Sequence, residues 1–141
     1  SSRERLMGYQ KALREAGLPY IDELVHEIPV TSGECHKVIS ELVRDGLDFD
    51  AVFAFSDIIA FETIWALNEC GIRVPEDVAV VGFDNIQSRL FLPVPLTTVS
   101  APKSRVARRA MGILLRKMRN KDDDSFYHEI IDTHLVVRGT T

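Results

Sequence analysis

Apolar positions along the first third of the chain follow helical and strand-like patterns in turn. Residues 3–16 carry apolar side chains at helical spacing, and a second amphipathic helix with Thr31 or Ser32 as its cap runs to Gly46. Between the two lies a short mixed run, residues 24–28, that predicts a strand. The predicted order is therefore helix, strand, helix.

The middle of the chain repeats the strand and helix unit with more strongly apolar segments. Residues 51–55 are uniformly apolar, as expected of a strand covered on both faces, and Ser56 with Asp57 offers an N-cap for a helix that ends near Gly71. Residues 78–83 form a third apolar strand. Strands separated by helices predict an α/β fold with a parallel sheet flanked by helices.

The last third of the chain contains a basic amphipathic helix between two extended segments. Residues 96–99 and 128–137 predict strands, and Pro102 suits the first turn of the helix. Between Lys103 and Lys121 there are eight Lys or Arg residues and no acidic residue. Because this stretch lacks interleaved aromatic residues and any nucleic-acid-binding motif, we interpret its charges as a solvated face.

The apolar side of the basic helix needs a surface to cover it. Leaving large apolar side chains in water forfeits about 1.5–3 kcal/mol each, and four are present: Val106, Ile113, Leu114 and Met118. The chain also starts on a helix, whereas open α/β folds usually start on a strand. We therefore expect a strand before Ser1 and helix partners in a longer protein; the alternative is a helix that folds back on the sheet.

Composition places the chain among ordinary globular proteins. It has 141 residues, a formal net charge of −4 and 45% hydrophobic residues, which excludes disordered and collagen-like chains. No apolar run approaches the roughly 20 residues of a membrane span, and the first residues carry no secretion signal. Two cysteines in helical contexts predict no disulfide framework. We expect a cytoplasmic protein with no membrane contact.

Short polar side chains follow two of the predicted strands, where ligands commonly meet parallel sheets. Ser56 and Asp57 follow one strand, and Asp84 and Asn85 follow the other. The carboxylate of Asp84 can accept hydrogen bonds from adjacent hydroxyls of a polyol or from an amine, but it can equally cap a local turn. For Asp57, a charge at the helix N-terminus is favoured over a ligand contact.

Catalytic and metal-binding motifs are absent from the sequence. There is no Gly-x-Ser-x-Gly elbow, glycine-rich phosphate loop or histidine pair at zinc spacing. Cys35 and His36 are neighbours on a predicted helix, so their side chains diverge. We expect no enzyme, no metal and no cofactor. An α/β enzyme that uses Asp57 and Asp84 as an acid and base pair or as a phosphoacceptor pair is a remote alternative.

The helix after Ser56 is apolar around nearly its whole circumference. One side must pack on the sheet, so the side that carries Phe61 and Trp65 needs a second surface. We interpret that side as a dimer interface, and the interpretation gains support if Leu90 and Phe91 lie nearby. The alternative is a helix enclosed on both sides within a larger domain.

Six segments with distinctive amino-acid sequences follow one another along the chain. They are residues 3–13 (RERLMGYQKAL), 51–67, 71–78 (GIRVPEDV), 80–85 (VVGFDN), 95–99 (PLTTV) and 135–141 (LVVRGTT). In this order they resemble the LacI/GalR family of bacterial transcriptional regulators. The resemblance implies the type I periplasmic-binding-protein-like fold, in which two Rossmann-like subdomains flank a cleft.

The resemblance also implies a division of the chain. Residues 1–99 would form the C-terminal effector-binding subdomain without its first strand. Residues 100–125 would cross into the N-terminal subdomain with the basic helix. Residues 126–141 would return with the final strand and the tail.

The resemblance further implies roles for individual residues. Arg5 matches the family arginine that points into the effector cleft, and Asp84 matches its effector-binding aspartate. Ser56 falls where some sugar-responsive members have Asn, and Ile28 falls near the family's aromatic stacking position. Four further residues match positions that help form the dimer interface: Phe61, Trp65, Leu90 and Phe91.

The resulting hypothesis is the effector-binding and dimerisation domain of a transcriptional repressor, without catalysis. Its effector would be a sugar or a related metabolite and its protein partner a second copy of the chain. Operator DNA would be contacted only through an upstream helix-turn-helix that this chain lacks. The alternatives are a periplasmic sugar- or solute-binding protein of a transporter and, more remotely, the enzyme that uses Asp84.

Overall fold

A computed structural model describes residues 2–29, 33–46, 49–86, 94–120 and 124–141 of the chain. The helices in these ranges are α1 (Ser2–Glu15), α2 (Glu34–Arg44), α3 (Asp57–Glu69) and α4 (Lys103–Arg119), with a short 3-10 turn at Asp22–Leu24. The strands are β1 (Ala51–Phe53), β2 (Ala79–Phe83), β3 (Thr97–Ser100) and β4 (His134–Val136).

The four strands form one sheet in the order β1, β2, β3, β4. The first three are parallel, with Val52 beside Val80 and Gly82 beside Thr98. β4 runs antiparallel to β3, because the chain returns along the sheet after α4. The predicted α/β class with a parallel sheet is confirmed, and the antiparallel last strand makes the sheet mixed.

The hydrophobic core is built around α3, which lies between β2 on one side and α2 on the other. This sandwich explains why α3 is apolar on more than one side. Its buried side chains include Ile59, Ile64 and Leu67, and they meet Ile39 of α2 and Val80 of β2. Helix α3 is therefore enclosed over much of its surface by the chain itself.

The prediction of a strand at residues 24–28 is wrong. The backbone at Val25 is extended (φ −113°, ψ 115°), but no strand of the described ranges lies beside it. An extended segment becomes a strand only when a neighbour pairs with its N–H and C=O groups. The predicted strands at 51–55 and 128–137 are real but shorter, since only Ala51–Phe53 and His134–Val136 pair with a neighbour.

Helix caps agree with the sequence at one position and differ at two. Ser56 caps α3 as expected, and its Oγ accepts a hydrogen bond from the backbone N–H of Ile59 (3.4 Å). The N-cap of α2 is Gly33, with φ 86° and no side-chain cap, while Thr31 and Ser32 lie outside the described residues. Pro102 stands at the N-cap of α4, one position before the first turn.

Helix α4 has no buried residue in the structure. Its apolar side chains at Val106, Leu114 and Met118 are all exposed, and Ile113 is half-buried. The described part of the chain does not cover this helix, so the alternative in which it packs back on the sheet is not what the structure has. Within the described ranges, no helix combines the length and the apolarity that a bilayer crossing requires.

Candidate functional site

Helix α1 brings an arginine to the carboxyl ends of β1 and β2. The Cζ atom of Arg5 lies 3.6 Å from the ring centroid of Phe83 and 4.3 Å from that of Phe55. Its Nη1 also donates a hydrogen bond to the backbone carbonyl oxygen of Phe55 (2.6 Å). Both phenylalanines come at or just after a strand end, so the cation spans two neighbouring strands.

The two aromatic rings fix the plane of the Arg5 guanidinium without consuming its hydrogen-bond donors. Contacts between a cation and ring faces stabilise the charge at exposed sites by about 0.5–1 kcal/mol. A guanidinium carries five N–H donors, and the structure assigns one of them to a partner among the described residues. The others can meet the oxygen atoms of a bound molecule.

Asp84 follows Phe83 directly and has an unusual backbone. Its φ is +110°, and its N–H donates to the carbonyl oxygen of Val99 (3.0 Å). Its half-buried carboxylate makes no hydrogen bond or ion pair within the ranges that the structure describes, Arg5 included. In that part of the chain Asp84 does not cap a turn through its side chain, which leaves its two oxygens as acceptors.

Asp57 has a structural role that goes beyond a charge at a helix N-terminus. The residue is fully buried, and one carboxylate oxygen accepts from the Thr98 hydroxyl (2.6 Å) while the other accepts from the backbone N–H of Ile86 (2.6 Å). Its two oxygens thus join α3 to β3 and to the turn after Asp84. This carboxylate is committed to the fold, and the enzyme hypothesis that paired it with Asp84 loses its second group.

The two other predicted ligand residues are engaged in packing or capping. Ser56 is buried, and its Oγ already accepts the cap hydrogen bond of α3. A hydroxyl that accepts one bond can still donate one, so a contact of Ser56 with an effector stays a prediction. Ile28 is half-buried and packs against the core, and its effector contact also stays a prediction.

Sequence reasoning missed the aromatic pair beside Arg5. A signal was present, because the apolar runs 51–55 and 78–83 both end in phenylalanine followed by two polar residues. The two triplets are Phe55-Ser56-Asp57 and Phe83-Asp84-Asn85. Parallel neighbouring strands place such matching ends side by side.

The predicted dimer residues have different environments. Trp65 is 64% exposed on α3, and its Nε1 donates to Glu69 (2.7 Å). His36 of α2 makes a hydrogen bond with the other carboxylate oxygen of Glu69 (2.6 Å), and this bond lowers the pKa of the Glu69 carboxyl. The imidazole ring of His36 also contacts the Trp65 indole edge-on. Phe61, in contrast, is partly buried against the core. Leu90 and Phe91 lie outside the described residues.

Neither the buried Cys35 nor a cluster of metal-ligating side chains supports other chemistry in the described ranges. The Cys35 thiol is buried 3.3 Å from the Thr63 hydroxyl, and burial raises its pKa, which disfavours the reactive thiolate. Within the described ranges, no three His, Cys, Asp or Glu side chains group closely enough to hold a metal ion.

Comparison with known proteins places these features in a common frame. The periplasmic binding protein-like domain family matches residues 1–141. The transcriptional repressor PurR of Actinobacillus pleuropneumoniae is 37% identical over 139 residues, which are 97% of this chain and 41% of PurR.

Solved structures agree with the sequence match. A complex of the transcriptional regulator CelR with cellobiose has a TM-score of 0.85 and 36% identity, and it covers 98% of this chain and 42% of CelR. A LacI-family regulator from Sanguibacter keddieii has a TM-score of 0.89 and 30% identity, over 96% of this chain and 52% of its own. The chain therefore spans about two-fifths to one half of the length of these proteins.

Proposed function

This chain belongs to the LacI/GalR family of transcriptional regulators, in the periplasmic-binding-protein-like domain, and we propose that it forms part of the small-molecule sensor of a repressor. The relatives are transcriptional regulators and not enzymes. They favour the regulator over a periplasmic transport protein as well.

The observation that carries the proposal is that the Arg5 guanidinium and Asp84 both lie at the carboxyl ends of the neighbouring strands β1 and β2. The guanidinium is held between Phe55 and Phe83 with donors to spare, and the carboxylate next to Phe83 accepts no hydrogen bond from the described residues. A charged donor and a charged acceptor can together bind neighbouring hydroxyls. We infer a sugar or a related metabolite as the effector, and the binding of cellobiose by CelR is consistent with that class.

The basic helix suggests how the pocket is completed. Exposed apolar side chains on α4 need a covering surface, and we assign residues 100–125 to a second subdomain across the cleft. Residues 1–99 and 126–141 form the subdomain that carries Arg5 and Asp84. Closure of the two subdomains on an effector would then shift their relative orientation.

The partners of the regulator follow from charge and from α3. A chain with a net charge of −4 is a poor phosphate binder, so we place operator contact in other parts of the full-length protein. We propose that the exposed face of α3 around Trp65 pairs two copies. A protein that acts on operator DNA works in the cytoplasm of a bacterium, and we assign it there.

The test of this proposal is the effector affinity of the full-length protein. We expect calorimetric titration with cellobiose and a panel of other mono- and disaccharides to identify a sugar that binds. Asp84→Ala should weaken its binding at least tenfold, since a hydrogen bond to a charged group contributes about 1.5–3 kcal/mol. Arg5→Met, which keeps the length of the stem, should act in the same direction.

The matched control is Asp50→Ala, because Asp50 lies at the opposite end of β1. This variant should bind the same sugar with unchanged affinity. Equal affinity of the wild type and the Asp84→Ala variant would remove Asp84 from the effector site.

A further inference from the structure

The turn that presents Asp84 has an uncommon backbone conformation. Asp84 has φ +110° and the next residue, Asn85, has φ +50°. Two consecutive positive φ values in residues other than glycine are uncommon and persist only when surrounding contacts hold them. Contacts from the surrounding structure therefore hold this turn.

Asn85 supplies most of the contacts through three polar groups. Its backbone N–H donates to the Thr98 hydroxyl (3.3 Å), and its side-chain Nδ2 donates to the Ser100 hydroxyl (3.0 Å). Its Oδ1 accepts from Nη2 of Arg138 (2.7 Å). The first two partners belong to β3, and the third comes from the tail that follows β4.

Arg138 is itself anchored at two further points. Its Nη1 donates to the carbonyl oxygen of Leu96 (2.8 Å), and its backbone N–H donates to the Thr97 hydroxyl (2.8 Å). Among the residues that the structure describes, no Asp or Glu pairs with this half-buried arginine. Its fork joins two neutral oxygens, one on Leu96 just before β3 and one on the turn, which a lysine cannot do with the same geometry.

The hydrogen bond between Arg138 and Asn85 joins two separate parts of the chain. It stands two residues after β4 (His134–Val136), the strand that the chain enters after α4. The turn that carries Asp84 is thus tied to the segment that returns from the proposed second subdomain. A movement of that segment would change the hydrogen bond between Arg138 and Asn85 and, through the turn, the position of Asp84.

We propose that Arg138 is a positioning residue of the effector site, which acts through Asn85 to hold the turn that presents Asp84. The proposal rests on the proposed function for the role of Asp84. It assigns to the tail a part in ligand recognition, although Arg138 itself need not touch the effector.

We call the contact of Arg138 with Asn85 the clamp. Hydrogen exchange measured by NMR on the full-length protein tests the clamp without any ligand. Arg138→Met should speed exchange of the Asp84 and Ile86 amides at least tenfold, because the turn opens locally. The amide of Ala54, which bonds the carbonyl oxygen of Val81 within the sheet, should keep its rate. Arg138→Lys should give an intermediate rate, since a lysine reaches one of the two oxygens.

Two further variants separate positioning from general stability. Thr140→Val removes buried hydrogen bonds of the same tail to Val80 and Thr97, away from the turn, and should leave the Asp84 amide unchanged. Asn85→Gly keeps the permitted backbone and deletes both the acceptor for Arg138 and the side-chain donor to Ser100. In that background Arg138→Met should add no further increase.

The affinity for the sugar identified by the panel then links the clamp to the site. It should fall at least tenfold in Arg138→Met and stay unchanged in Thr140→Val. Unchanged exchange at Asp84 and Ile86 in Arg138→Met, or an equal rise at Ala54, overturns the proposal. If the turn opens locally while Asp84→Ala leaves sugar affinity intact, the proposed function fails and not the clamp.

Discussion

Gly82 is the point at which α3 approaches β2 too closely for a side chain. A Cβ atom there would lie 2.3 Å from the Asp57 carboxylate and 2.9 Å from the Leu96 side chain. Both neighbours are buried, and Asp57 is already bonded to Thr98, so neither can move freely. The glycine lets the buried carboxylate sit over the strand next to the proposed site.

Gly82→Ala is therefore expected to destabilise the protein by about 1–3 kcal/mol, the usual cost of overpacking. Urea denaturation of the variant and the wild type measures the difference. The control is Gly112→Ala in the middle of α4, where a Cβ meets nothing within 4 Å.

That control should be neutral or stabilising by roughly 0.5–1 kcal/mol, because alanine favours a helix. The same loss of stability in both glycine variants would contradict the close approach at Gly82.

At the residue scale the sequence predicted candidate site residues but not the long-range contacts around them. Asp84 was predicted from its place after a strand and again from the family resemblance, and Arg5 from the resemblance alone; the structure has the Arg5 guanidinium and Asp84 at the ends of neighbouring strands. The bond between Asp57 and Thr98 spans 41 positions, so no local pattern reveals it. Arg138 reaches Asn85 across 53 positions and was missed for the same reason.

At the scale of elements, α3 presents a single fixed aromatic side chain to solvent between two packed sides. The indole of Trp65 is held by Glu69, and Glu69 is held by His36 of α2. A large side chain that is already ordered loses little freedom when a partner covers it, which suits an interface anchor.

Trp65→Glu should therefore convert the proposed dimer of the full-length protein toward monomer. Light scattering would report a mass that falls toward that of one chain. Met7→Glu on α1, at a side chain of similar exposure, should leave the mass unchanged. A Trp65→Glu protein that remains a dimer would place the interface elsewhere.

The loop between α3 and β2 is closed by a short ion pair. Arg73 donates to both carboxylate oxygens of Asp77 (2.7 and 2.8 Å), and its backbone N–H adds a further bond. These bonds lower the pKa of Asp77 from 3.8 to about 2. Because the folded-state pKa is lowered, the stabilisation is present above the unfolded pKa and is lost as pH falls through about 2.

Asp77→Asn should thus melt below the wild type by an amount that is constant above about pH 5 and shrinks toward zero as the pH approaches about 2. Thermal denaturation over this range measures it. In an Arg73→Met background the pH-dependent part should shrink, because the backbone N–H of residue 73 is then the remaining donor of this pair to Asp77. A difference between the two proteins that does not change with pH would rule out the pair as its source.

The elements themselves were largely predictable because their signals are local. The helices follow from apolar spacing and caps, and two of the parallel strands from uniformly apolar runs. The strand prediction for residues 24–28 failed because a strand also requires a neighbouring strand, and the sequence of these residues does not show whether one is present. The strand predicted at residues 128–137 was too long for the same reason, since three residues of that run pair with β3.

At the scale of the whole molecule, α4 is a helix whose apolar side the described chain leaves uncovered. Leu114 is half exposed in the middle of its apolar side. If residues 100–125 belong to a second subdomain, Leu114→Glu places a charge in that interface and should cost about 2 kcal/mol or more in the full-length protein.

Denaturation by urea measures this cost. The comparison variant is Arg105→Glu, at an exposed position of the basic side of the same helix. It should change stability much less. Equal effects of the two substitutions would mean that the apolar side of α4 stays in water, and the proposed subdomain boundary would be wrong.

Binding at the strand ends and pairing through α3 matter to function only if they are coupled to DNA. A coupling of about 1–3 kcal/mol corresponds to a change of roughly 5- to 150-fold in operator affinity. Such a change must come from an effector that prefers one orientation of the subdomains.

The most direct measurement is the operator affinity of the full-length protein with and without a saturating concentration of the sugar it binds. The wild type should differ at least fivefold between the two conditions, and Asp84→Ala should bind operator with the effector-free affinity in both. A wild type that binds the sugar but holds operator equally well in its presence and absence would contradict the account.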